Sequence, residues 1–428
     1  MPPQLKAPLV DVPIRPTLTR LALQMMVGIM GMIAFNLVDT FFIGRLGTRE
    51  LAAISFTFPV VMIIAGLSMG LAVGASSVIS RAIGQGDPFT VQRLTTDILA
   101  LALLLVTGMV VVGVFTMEAT FRAMGAPEDL IPLIREYMLI WYPGMVFVVV
   151  PMVGNSAIRA TGNAKLPSLI MMVAFGFNAV LDPLLIFGYG PFPRLGLAGA
   201  AIATVIARAS SLVISLWILR VKMQMISFKP RPLRLLFDSW KRVLYVGGPN
   251  AVTNVIMPLG SGLITRLVAG HGVAAVAGFG VSTRVDMLAL APLMALGAVL
   301  GPFVGQNWGA GRLDRVASAA RDVQAFALIL GAFTLGVLFL FGRDIAGMFN
   351  SDQAVLDVAA RYLSIVPLAY GFIGVLMLTN TCLNALNRPL YAATLTLVQM
   401  LVLYVPLAHL GERFFGLTGI FDEQEVEK

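Results

Sequence analysis

Eleven stretches of the chain are apolar over about 20 residues or more, the length an α-helix needs to cross a bilayer's hydrocarbon core. They fall at roughly 18–43, 51–80, 94–117, 130–153, 166–188, 196–219, 243–268, 273–304, 323–342, 354–382 and 389–410. Polar, helix-breaking connectors separate them, among them Gly84-Gln85-Gly86-Asp87-Pro88, Gly125-Ala126-Pro127 and Lys229-Pro230-Arg231-Pro232. Glycines and prolines inside the runs do not argue against spanning helices, because neighbouring helices can re-satisfy the backbone groups they free. The pattern predicts an all-α, polytopic membrane bundle.

The runs repeat. Leu51-Ala52-Ala53-Ile54 returns as Val273-Ala274-Ala275-Val276, Gly84-Gln85-Gly86 as Gly305-Gln306-Asn307, and Glu136-Tyr137-Met138 as Arg361-Tyr362-Leu363. Leu195-Gly196-Leu197-Ala198-Gly199 returns as Phe415-Gly416-Leu417-Thr418-Gly419, and the echoes keep nearly the same spacing throughout. The expected organisation is two six-helix repeats: an N-terminal lobe over 1–220, a basic connector over 221–242 and a C-terminal lobe over 243–428. An even number of helices per half leaves the halves in the same orientation, related by an axis along the membrane normal. By this repeat Gly416 opens a twelfth helix, yet the chain continues as FDEQEVEK, too acidic to span. The expectation is a missing or truncated twelfth helix.

Composition agrees with a lipid-facing exterior. Of 428 residues 58% are hydrophobic and 12% charged, about half the charged share of an ordinary soluble domain. The net charge of +8 suggests nucleic acid only until the cations are placed. Eighteen Lys and Arg lie in the N-terminal segment and every second connector, against seven on the other side. They therefore read as topology signals and contacts for anionic lipid, putting the N-terminus in the cytoplasm of a bacterial-type inner membrane. The first residues lack a short apolar core before a cleavage site, so the first run is expected to direct insertion itself. Cys382 is the one cysteine, which excludes a disulfide within the chain.

Charged groups inside the apolar runs carry the candidate chemistry, since burying a charge in a membrane is costly. Asp39 lies about 7 Å inside the outer end of the first helix at 1.5 Å per residue, and Asp182 lies at a similar depth in the fifth. Asn36 and Asn178 stand three and four residues before them, on the same helical faces. Thr204 is one or two turns into the sixth helix, so a polar cluster in the outer half of the N-terminal lobe is expected. Asp39 reads either as a functional carboxylate or as one snorkelling to the interface; Asp182, followed by Pro183, reads either as functional or as the cap of a helix kink. Asp286 reads as structural, beside Arg284, and Arg208 and Arg266 as snorkelling or paired. A buried carboxylate can alternate between proton-loaded and charged forms because burial opposes its charge, while carboxylate and amide oxygens also suit sodium. Met30, Phe35, Met171, Met172 and Met257, with Asn36, are candidates to line a cavity for varied apolar cargo. His271 and His409 have no companions at metal-ligand spacing, and no phosphate-binding GxxxxGK[ST] loop is present, so neither metal, organic cofactor nor ATP is expected.

Several segments together resemble the multidrug and toxic compound extrusion (MATE) family. They are Val38-Asp39-Thr40-Phe41-Phe42-Ile43-Gly44, Arg81-Ala82-Ile83-Gly84-Gln85-Gly86, Arg159-Ala160-Thr161-Gly162-Asn163, Asn178-Ala179-Val180-Leu181-Asp182-Pro183, Gly199-Ala200-Ala201-Ile202-Ala203-Thr204 and Gly305-Gln306-Asn307-Trp308-Gly309-Ala310-Gly311. The resemblance implies two lobes around a central cavity that rock to export amphipathic or cationic drugs in exchange for protons or sodium, and a monomer. In the family's DinF-like branch an aspartate on helix one and an Asn-x-x-x-Asp pair on helix five form the cation site; Asp39, Asn178 and Asp182 match it, with Thr204 and Tyr137 as further matches. The NorM-like branch carries acids on helices seven and ten; here GGPNAVTNVIMPLGSG of the seventh and SIVPLAYGFIGVLMLTNTCLN of the tenth contain none. This chain also lacks a proline between Thr17 and Gly44, which many relatives have and which is linked to bending; Gly28 and Gly31 are the available flexible points. Two alternatives stand beside drug export: a lipid-linked precursor flippase of the same superfamily, which calls for a cavity lined by arginines, and an inactive remnant, if the twelfth helix is truly lost.

Overall fold

With backbone amides and carbonyls unable to reach water in hydrocarbon, helices are the economical solution. Helices account for the regular structure in the computed structural model, which describes residues 7–229 and 232–415. In chain order they are α1 (Ile14–Gly44), α2 (Thr48–Gly84), α3 (Pro88–Ala123), α4 (Ile131–Gly144), α5 (Val146–Ala160), α6 (Lys165–Phe187), α7 (Gly196–Trp217), α8 (Leu233–Ala269), α9 (Val273–Ala289), α10 (Ala291–Gly309), α11 (Leu313–Gly347), α12 (Gln353–Ile365), α13 (Tyr370–Ala385), α14 (Pro389–Leu397) and α15 (Val405–Phe415). Among the described residues, ten runs are long and apolar enough to cross a membrane, and α9 with α10, bent by 43°, makes an eleventh. Each coincides with one of the eleven stretches read from the sequence. The expectation of a missing twelfth helix concerns residues 416–428, which lie outside the described residues.

The ends and breaks follow local chemistry. Asp87 caps α3, accepting from the amides of Phe89 and Thr90 at 3.1 and 3.0 Å, with Pro88 at the first helical position. Hydrogen bonding from Thr90 holds its carboxyl below the usual carboxylate range. The fourth apolar run divides into α4 and α5 just after Pro143, and the tenth divides into α12 and α13 through a 3₁₀ turn, Val366–Ala369, containing Pro367. A proline removes one helical hydrogen bond and crowds the preceding turn, so the break falls beside it. These two prolines are spaced much as the sequence echoes are. The first helix is continuous over its 31 residues. The sequence placed a connector at 221–242; α8 starts within it at Leu233, and a π-helical turn, Ile218–Lys222, extends α7 into it.

Among the pairings that join the front and rear of the chain, α2 packs along α8, and α1 along α10. Small residues make the first possible. A methyl group added at Gly70 would lie 2.5 Å from the backbone nitrogen of Ala251, and one at Gly66 3.0 Å from the carbonyl oxygen of Asn254. The second is an apolar seam, in which Met25, Ile29 and Ile33 of α1 bury themselves with Leu296, Val299 and Phe303 of α10. By contrast, α3 and α11 present large apolar side chains outward, including Phe115, Phe333 and Phe339, as lipid-facing helices do.

The front and rear close tightly where α2, α5, α10 and α13 end. Gly84 abuts Gln306, Gly305 abuts Ser80 and Gly309 abuts Arg81. Gln306 is fully buried; its side-chain amide donates to the carbonyl of Ala160 at 2.7 Å and accepts from the backbone amide of Leu9 at 3.1 Å. Asn307 and Arg315 also donate to the carbonyl of Leu9, tying the segment before α1 across this end. Removing the Gln306 amide strands two buried backbone groups, at about 1–3 kcal/mol each. Gln306→Leu is therefore expected to lower the melting temperature of the detergent-solubilised protein clearly more than Gln353→Leu, a change at an exposed position, as read by thermal unfolding.

Candidate functional site

The site is assembled by α1, α4, α6 and α7. Gly28 lies against Ser168, where an added methyl would come within 2.9 Å of the Ser168 Cα, and Gly31 lies against Met172, 2.6 Å from its sulfur on the same measure. These contacts set α1 and α6 side by side and parallel, in a register that pairs Gly28 with Ser168 and Gly31 with Met172. Carried about two turns onward, that register brings Asp39 level with the stretch between Asn178 and Asp182. On the other flank Gly199 of α7 sits against Leu185 of α6, antiparallel, so Thr204 and then Arg208 follow at successively deeper turns. Gly144 of α4 packs on Val205 of α7 and brings Tyr137 to the same group.

Asn178 and Asp182 are fully buried, and the Asn178 Nδ2 donates to the Asp182 Oδ1 at 3.0 Å. Asp39 is close enough for its charge to act on Asp182, Tyr137 and Arg208. Three buried oxygens lie in this group without a hydrogen-bond partner: Asp39 Oδ1, Asn178 Oδ1 and Asp182 Oδ2. A buried oxygen left unmatched is costly. Three acceptors carrying up to two negative charges suit a proton or a hard monovalent cation. Thr204 is half-buried on α7 and Tyr137 is buried on α4.

The residues read as cavity lining divide by position. Met30 and Met171 pack against the α1–α10 core and Phe35 is buried; Asn36, Met172 and Met257 are exposed. Arg208 differs from its sequence reading as snorkelling or paired. Its guanidinium stacks 4.5 Å from the centre of the Phe35 ring, and its buried Nε has no hydrogen-bond partner. The spacing could have revealed it, since Thr204 and Arg208 are four apart and share a helical face. Asp286 is held by tyrosines rather than by Arg284: both of its oxygens accept hydroxyls, from Tyr362 at 2.6 Å and from Tyr370. Asp97 is a further buried acid, which the sequence reading did not single out. It accepts from the Ser239 hydroxyl at 2.7 Å, and its carbonyl accepts from the Trp240 indole at 2.8 Å, fixing α3 to the start of α8. Among the described residues no three His, Cys, Asp or Glu side chains converge as metal ligands.

Comparison with known proteins gives this geometry its context. The MatE family model matches twice, over residues 25–184 and 249–410. A FAD transporter of Shewanella oneidensis is 37% identical over 412 residues, which cover 96% of this chain and 91% of that protein. A probable multidrug resistance protein of Bacillus subtilis, YoeA, is 26% identical over 87% of this chain and 81% of its own length. Among solved structures, the Vibrio cholerae MATE transporter VcmN in its bent form superposes with a TM-score of 0.90 at 30% identity, covering 96% of this chain and 92% of that one. Members of this family move solutes across membranes and are not enzymes, and relatives named for multidrug resistance point to efflux. With the family model matching most of its length, this chain belongs to the MATE family of membrane transporters.

Proposed function

We propose that the chain is a secondary antiporter that exports amphipathic aromatic molecules in exchange for a cation bound among Asp39, Asn178 and Asp182. The observation that carries this reading is the set of unmatched buried oxygens of those three side chains, gathered by the α1–α6 register. Such a group holds a proton or sodium ion well and is unfavourable when left charged and empty, so its loading state can bias one arrangement of helices over another. One elementary charge moving through a membrane potential contributes about 2.3 kcal/mol per 100 mV, enough for roughly a fifty-fold gradient of a neutral solute.

The two-lobe organisation belongs to the same reading. It is supported by the two family-model matches, by the reciprocal pairings α1 with α10 and α2 with α8, and by the proline breaks spaced like the sequence echoes. The N-terminus is assigned to the cytoplasm from the charge bias of the connectors, which makes the tight closure around Gln306 a cytoplasmic seal. Proton coupling through the N-terminal lobe, as in the DinF-like branch, is preferred over a site on helices seven and ten, because those positions carry no acids. For cargo, the relatives divide: several carry multidrug names, and the 37% identical relative is named for FAD. An aromatic ring system with a charged portion covers both.

Reconstituted in vesicles, the parent chain is expected to drive efflux of ethidium or of FAD under an imposed pH gradient. Asp39→Asn is expected to reduce the gradient-driven rate at least about tenfold while facilitated exchange without a gradient persists. Equal gradient response in both proteins would remove Asp39 from the coupling role. Asp182→Asn keeps a hydrogen-bonding group beside Asn178, so it is expected to fold normally by size-exclusion chromatography and still lose most of its gradient-driven efflux.

A further inference from the structure

Among the described residues, Arg208 is the strong cation that the α1–α6–α7 packing carries into the site, and the coupling mechanism does not use it. It lies on α7 one turn deeper than Thr204, half-buried, with its guanidinium over Phe35. No hydrogen bond or ion pair from a described residue engages it, and its buried Nε is unmatched. The carboxylates of Asp39 and Asp182 lie in the same group, and Asp39 acts on Arg208 through space, but without an ion pair. A guanidinium offers five donors in a planar fork. Stacked on a ring face and bonded to neither neighbouring carboxylate, that fork is satisfied by a group with several acceptor oxygens and negative charge, such as a phosphate or carboxylate, which it binds in bidentate fashion. The Phe35 face holds the guanidinium plane in place and spares the fork from collapsing onto Asp39.

We infer that Arg208 is a specificity residue of the transport site, which recognises an anionic group, phosphate foremost, on an aromatic cargo. This departs from the cationic cargo expected from the sequence, because a fixed guanidinium repels a cationic ligand as strongly as it attracts an anionic one. It deepens the proposed function and rests on the N-terminal lobe facing the cargo, without depending on which ion drives transport.

A matched pair of ligands tests it: riboflavin, which is uncharged, and riboflavin 5′-phosphate, which carries the same ring with a phosphate. Binding to the purified full chain in detergent is read by flavin fluorescence. The parent is expected to favour the phosphate by about tenfold or more, and Arg208→Gln to abolish that preference while riboflavin binding changes little. Arg208→Lys, which keeps charge but not the fork, is expected to retain part of it. Ethidium is expected to bind Arg208→Gln more tightly than the parent. A parent without phosphate preference, or a preference of equal size in Arg208→Gln, would overturn the inference. Asp39→Asn serves as the separating control: it is expected to lose gradient-driven efflux while keeping or strengthening the phosphate preference, since it removes a neighbouring negative charge. Loss of coupling and loss of anion recognition are thereby read independently. Should Arg208→Gln fold poorly, Phe35→Leu, which removes the ring face while leaving the charge, is expected to weaken the preference severalfold; an unchanged preference there and in Arg208→Lys would also count against the assignment.

Discussion

The close parallel approach of α1 to α6 governs this molecule's interior. Gly28 and Gly31 have no side chains to hold the helices apart, so Ser168 and Met172 of α6 lie against the backbone of α1. Helices in contact at two successive turns share a register further along, and that register brings Asp39 opposite Asn178 and Asp182. Bulkier residues at these two points would push the helices apart, and a carboxylate cluster assembled from two separate helices cannot tolerate that shift. The same economy appears where α2 meets α8 through Gly66 and Gly70. Without a hydrophobic driving force between helices in lipid, close packing of small residues supplies the attraction.

Polar side chains then divide into those with partners and those without. Asp97 with Ser239 and Trp240, Asp286 with Tyr362 and Tyr370, and Gln306 with Leu9 and Ala160 are matched within the chain and tie helices together. One Asp39 oxygen, the Asn178 carbonyl, one Asp182 oxygen and the Arg208 Nε are not. Burial alone does not distinguish the two, because Gln306 and Asp182 are both fully buried; other unmatched atoms occur at Arg93, Asn155, Ser215 and Asn380, but those beside Asp39 share one group with two carboxylates. On the proposed function, the unmatched atoms beside Asp39 are the ones that a transported ion or cargo would satisfy.

A site containing two carboxylates and one guanidinium within a few turns has a charge that depends on how many protons it holds. On the proposed function, that gives it a means of preferring different ligands in different states, with the closure around Gln306 and the segment before α1 as a candidate for the element that opens and reseals.

How much was legible beforehand varied with the range of the interaction. The eleven apolar runs, the half-chain echoes and the candidates Asp39, Asn178, Asp182 and Thr204 were visible in the sequence, because helix length, hydropathy and i, i+4 spacing are local properties; Tyr137 was suggested by the family resemblance alone. Cap and break positions at Asp87, Pro143 and Pro367 are local in the same sense. The partners of Asp286 were not visible: Tyr362 and Tyr370 lie 76 and 84 residues away, and only the packing of α9 against α12 and the start of α13 joins them. Nor was the state of Arg208, since one-dimensional spacing shows which face a side chain shares but not whether an opposing helix answers its charge. Sequence by itself determined that lipid surrounds a helical bundle with acids in its first half. Tertiary structure decided which of those polar groups are paired and which remain open to ions or cargo, because pairing depends on distances across helices that no local pattern encodes.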